Sequence, residues 1–192
     1  MANQDAAFGL KPIGKIGQNR DAQGLSEYSI AANDSSTIYF QDPVKATAAG
    51  TIDVAAAGDV LLGSLNGVFY TDPNTKKPTW ANHYSQVNAA DIVAFVSDDP
   101  YERFEIQSNG TNAITQASVF FNYDIDYTAG NSANYVSKVE LSETTGVSTT
   151  AQLRLLGFSK DPDNSDIGSA NVNMVVSINE HFLKSTDRKS VV

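Results

Sequence analysis

Apolar and polar side chains alternate over residues 171–179, where Val172, Met174, Val176 and Ile178 face one way and Asn171, Asn173, Val175, Ser177 and Asn179 the other. A period of two with one mostly polar side predicts a half-buried strand. Runs rich in β-branched and aromatic residues recur at 27–31, 37–40, 92–96, 103–107, 118–122 and 151–158, bounded by Gly, Asn, Asp and Pro. Residues 60–65 and 68–70 flank Asn66-Gly67, which predicts a hairpin because Asn-Gly readily supplies the positive φ angles of a tight turn. Helical periodicity is nearly absent. The pattern predicts an all-β fold with a compact β-sandwich or β-barrel core.

The first 25 residues break the pattern. Gly9, Gly14, Gly17, Gly24 and Pro12 are interspersed with Phe8, Leu10, Ile13 and Ile16, which suits neither a helix nor an ordinary strand. Residues 1–25 are therefore expected to form an extended N-terminal arm, and residues 26–192 a β-rich core domain with a short C-terminal tail. Such an arm cannot bury its apolar residues on itself, so its order would depend on a neighbouring subunit. The core is expected to fold without it, since every strand signal begins at or after Glu27.

Composition adds limits. With 192 residues and 41% hydrophobic content, one packed core is the simplest organisation. There is no cysteine, so stability must come from packing or assembly. The first residues lack the basic start and apolar run of a secretory signal, and no stretch is apolar for long enough to cross a membrane as a helix, so synthesis in the cytoplasm and no membrane partner are expected. Sequons at Asn33 and Asn109 carry little weight without a secretion signal. The net charge of −9 repels phosphate backbones and disfavours nucleic acid as a partner. The ends are basic by contrast: Lys11, Lys15 and Arg20 outnumber Asp5 at the start, and Lys184, Arg188 and Lys189 outnumber Asp187 at the close.

Candidate reaction chemistry is thin. Gly9 to Lys15 has the spacing of a phosphate loop, but Ile16 stands where a hydroxyl should bind magnesium and Pro12 removes an amide donor. Ser64 sits one position early for a nucleophile elbow. His83 and His181 are the only histidines, and each reads as a surface or turn residue. Asp161, Asp163 and Asp166 alternate like calcium ligands, yet Asp166 and Val172 occupy positions where an EF-hand has Gly and Glu, and a plain turn is expected. Asp124 and Asp126 would share one sheet face, as an acid and base could. Trp80 with Tyr84, in what reads as a loop, could stack on a sugar ring, although a lone Trp is more often a packing anchor. No enzyme, catalytic residue, metal or cofactor is expected.

The opening Ala7-Phe8-Gly9-Leu10-Lys11-Pro12, followed by Tyr28-Ser29-Ile30, resembles that of tailed-bacteriophage capsid decoration (cement) proteins, with Ala7 in the place of a common proline. The likeness continues at Asp42-Pro43-Val44, Ala56-Ala57-Gly58-Asp59, Phe104-Glu105-Ile106-Gln107 and Ser177-Ile178-Asn179-Glu180-His181. The resemblance implies a structural virion protein on the capsid exterior that binds the major capsid protein and clamps its subunits together. A homo-oligomer, preferably a trimer, is expected. Phe8, Leu10, Lys11, Ile13, Lys15, Ile16 and Arg20 are then the capsid-contacting residues of the arm. The alternatives are another virion component, of the tail or the head-to-tail connector, and a non-catalytic carbohydrate-binding β-module.

Overall fold

The computed structural model describes residues 3–17, 24–110, 114–144, 146 and 150–184. Along the chain the strands are β1 (Lys11–Lys15), β2 (Ser26–Ser29), β3 (Pro43–Ala46), β4 (Ile52–Val54), β5 (Gly63–Thr71), β6 (Pro78–Ala81) and β7 (Val93–Ser97). They continue with β8 (Glu102–Gln107), β9 (Asn122–Tyr123), β10 (Ile125–Asp126), β11 (Glu140–Leu141), β12 (Leu153–Phe158) and β13 (Asn173–Ile178). A 3-10 turn, Gln116–Ser118, precedes β9. Two antiparallel sheets pack in a sandwich-like arrangement, and no barrel closes. One has five strands in the order β1-β8-β13-β12-β9; the other has β2-β7-β5-β3-β4 with β6 added to β5.

The alternation that predicts the strands also fills the core. Phe104 and Ile106 of β8, Met174, Val176 and Ile178 of β13, and Leu153 and Leu155 of β12 are buried together beneath the five-stranded sheet. Val44, Leu65, Val68, Ala94 and Val96 do the same for the six-stranded sheet, with Tyr84 and Ile38 packed among them. Leu61, just before β5, belongs to the first of these clusters, so the two layers are continuous there.

Asn66-Gly67 does not turn the chain. Both residues lie inside the nine-residue β5, and the pairing with β7 shifts register between Leu65 and Gly67, making Asn66 the extra residue of a bulge. Gly67 is required for a different reason: a Cβ there would lie 2.5 Å from the Trp80 ring, which rests over it from β6. Residues 37–40 form only isolated bridges, Ile38 to Tyr84 and Phe40 to Val136. Residues 118–121 turn rather than extend, with Phe120 at φ 75°.

The N-terminal segment requires the largest correction. It is extended, but along its own sheet: β1 pairs with β8 through Lys11↔Glu105 and Lys15↔Glu102. Leu10 is completely buried in the core. Gly9, at φ 80°, makes the turn that sends Leu10 inward, and a Cβ there would collide with the Gln41 carbonyl and the Ser137 side chain. The Leu10 N–H donates to the Gln41 carbonyl at 2.9 Å, and its carbonyl accepts from Ser64 Oγ at 2.6 Å. Because Ser64 lies on β5, these bonds fasten a residue next to the five-stranded sheet to the six-stranded one. The expectation that these apolar residues have no intramolecular face overlooked the pocket that the glycine turn opens.

Candidate docking surface

The residues expected to contact a shell have different fates in the fold. Leu10 is buried and cannot touch a partner, and Phe8 is half-buried with the Lys11 ammonium 5.8 Å from its ring centre. Lys11 pairs with Glu105 at 3.1 Å, and Lys15 pairs with Asp99. Arg20 lies outside the described residues. Among the six that are described, Ile13 and Ile16 present large apolar exposed surface, at 40% and 48%. Tyr101, whose carbonyl accepts from Ile16 N–H at 2.8 Å, lies beside them and is also exposed.

β1 is an outer strand of its sheet, yet it is poorly suited to accept another strand. Pro12 has no N–H, the register shifts between Pro12 and Gly14, and lysines stand at both ends. These are the devices that blunt sheet edges against strand addition. A partner meeting this edge would do so through side chains.

The outward face of the same sheet is set by register. Arg103 on β8, Ser177 on β13 and Arg154 on β12 are directly paired in one cross-strand row. Lys11, Glu105, Val175 and Gly157 form the neighbouring row. Beside these rows Ile16, Leu156 and Val175 line an open groove of about 420 Å³ with Arg103 at its side. The Arg154 guanidinium donates to Asn122 Oδ1 at 3.0 Å and Asn179 Oδ1 at 2.8 Å. Lys184 donates to the Ile178 carbonyl at 2.5 Å. Sequence reasoning missed Arg103 and Arg154, because an exposed arginine within a strand gives no sign of which residue stands opposite.

A second hollow, of about 470 Å³, lies between Asp5–Ala7 and the stretch that leads into β11. Glu140 lines it, and burial, reinforced by the Asp5, Asp126 and Glu143 charges, pushes its carboxyl up to about 7.

The other candidates of the sequence take structural positions. Ser64 is buried with its hydroxyl committed to Leu10. Asp161, Asp163 and Asn164 form a turn in which Asp163 N–H donates to Asp161 Oδ1 at 3.1 Å and Asn164 N–H to the Asp161 carbonyl at 3.1 Å. Asp124 accepts from Gln152 N–H, whereas the exposed Asp126 accepts from Asn109. Among the described residues no group of three or more His, Asp and Glu is placed to hold a metal ion. Trp80 is on strand β6 and not in a loop; it is 55% exposed, 5.1 Å from the Phe95 ring. Tyr84 is fully buried, so the two cannot form one sugar platform. His83 does lie in a turn, stacked on Tyr135 at 3.5 Å. His181, in contrast, is buried: its Nδ1 accepts from Leu183 N–H at 3.0 Å, and burial, with the Lys184 charge, drives it down to about 4. No known protein family, characterised protein or solved structure matches the chain.

Proposed function

We propose that this chain is a structural virion protein that binds the outer surface of a tailed-phage head and stabilises the contacts between major capsid protein subunits. The observation that carries the reading is the free side of β1, where Ile13 and Ile16 stand exposed beside Tyr101 on a strand anchored at both its ends. A rigid strand presenting apolar side chains loses little entropy on docking, which suits a clamp that makes many modest contacts. The resemblance of the opening segment to decoration proteins supports the same reading. Binding only to the assembled shell would stabilise it by linkage, without any reaction.

Quantitative proteomics of particles produced from the genome that encodes this chain is the test. A decoration protein is present in a copy number that scales with the major capsid protein. A small fixed number, as for a connector or tail component, or absence from particles, would reject the reading.

A further inference from the structure

We propose that the outward face of the five-stranded sheet, centred on Arg103 and Arg154, is the docking surface for an acidic protein segment that places an apolar side chain in the adjoining groove. The inference rests on the head-binding reading above and names the chemistry of its partner.

Charge complementarity identifies the occupant. The face gathers Lys11, Arg103 and Arg154, with Lys184 near Arg154, in a chain whose net charge is −9. Its carboxylate, Glu105, is engaged by Lys11 at 3.1 Å and by the Ser159 hydroxyl at 2.5 Å. Among the described residues the other three cations form no salt bridge: Arg154 is held by two amide oxygens, Lys184 by a backbone carbonyl, and Arg103 has only the through-space charge of the buried Glu102 next to it. The Arg103 guanidinium extends along the sheet toward Gly14, where a Cβ would lie 3.6 Å from it. Arg154 and Lys184 are close enough that the arginine charge, after burial, lowers the lysine's proton affinity. Arg154 and Lys184, like charges held together with no salt bridge among the described residues, raise the energy of the free protein, and an anion placed beside them would relieve that cost.

The geometry favours a polypeptide over a free anion. Arg103 and Arg154 stand on strands separated by β13, hence about 10 Å apart at strand spacing. A single small anion cannot span both, whereas acidic side chains spaced along a segment can. The groove beside them is floored by Ile16, Leu156, Gly157 and Val175, which offers an apolar residue burial next to the carboxylates. Arginine's fixed donor fork also suits carboxylate recognition better than a lysine would.

The test uses the full chain and heads purified from particles assembled without it. Co-sedimentation is measured for the unaltered protein, for Arg103→Glu/Arg154→Glu, for the milder Arg103→Gln/Arg154→Gln, and for Lys76→Glu/Lys77→Glu at the distant β5–β6 turn. Circular dichroism confirms the fold of each. The expected result is binding that weakens with salt, a loss of about tenfold or more in the Glu pair, a smaller loss in the Gln pair, and none in the lysine control. If both arginine variants bind like the unaltered protein, the docking face is wrong while head binding stands. If the unaltered protein itself does not bind heads, both the face and the reading fall. If the Glu pair binds heads normally but converts a self-associated protein to monomer on gel filtration, the occupant is a second copy and the proposal is overturned.

Discussion

At the scale of single residues, burial decides the behaviour of the ionisable groups. His181 keeps a neutral ring because its site lies beneath the surface, and its Nδ1 acceptor role fixes the proton on Nε2. Its folded pKa of about 4 lies below the ordinary histidine value. Between roughly pH 6.5 and 4 the unfolded chain therefore takes up a proton that the folded one refuses, and stability falls on acidification, by about 3 kcal/mol in total. Asp42 works in the opposite sense: burial raises it to about 6, so its protonation in the folded state favours the fold as pH drops. In His181→Asn the side-chain oxygen can still accept from Leu183 without titrating. Denaturant unfolding from pH 7.5 to 4 is expected to show a shallower acid-side decline in this variant than in the unaltered protein. Parallel pH profiles would place the proton uptake elsewhere.

At the scale of elements, β1 is tied in by the burial of Leu10, the pairing with β8 and two ion pairs. Deleting residues 2–17 would empty the Leu10 site, a loss of about 2–5 kcal/mol by itself, and leave the β8 edge unpaired. The sequence pattern alone suggests a segment whose removal spares the core. The structure leads to the contrary expectation: the truncated chain melts well below the full one or is insoluble, as thermal unfolding by circular dichroism would show. An unchanged melting temperature would mean that β1 contributes nothing to stability. Gly67 marks the same lesson in β5, since Asn-Gly carries one sequence signal for two structures. It serves a hairpin when the chain must reverse, and here it makes room for Trp80 within a bulged strand.

At the scale of the whole molecule, the two layers are joined by residues that belong to both. Leu10 is hydrogen-bonded to Gln41 and Ser64 while packing among the side chains beneath the five-stranded sheet, and Leu61 enters that same cluster just before β5. The sheets should therefore unfold together. Trp80, the only tryptophan, reports the six-stranded sheet, whereas far-ultraviolet circular dichroism reports both. Their denaturation midpoints are expected to coincide; separate midpoints would show that the layers are independent units. The sequence by itself determined the all-β class, the strands β7, β8, β12 and β13 to within a residue or two, and which positions of β13 point inward, because a two-residue period is a local consequence of strand geometry. It also expected a turn over Asp161, Asp163 and Asp166, and the Asp161 side chain and carbonyl do accept from the backbone N–H groups of Asp163 and Asn164, as the Asp166 carbonyl does from Ser169. Only the tertiary structure decided that Leu10 has a pocket, that Tyr84 and His181 are buried, and that Arg103 and Arg154 flank Ser177 in one row. Each of those depends on which distant strand lies alongside and in what register, and that is settled by the packing of the whole chain.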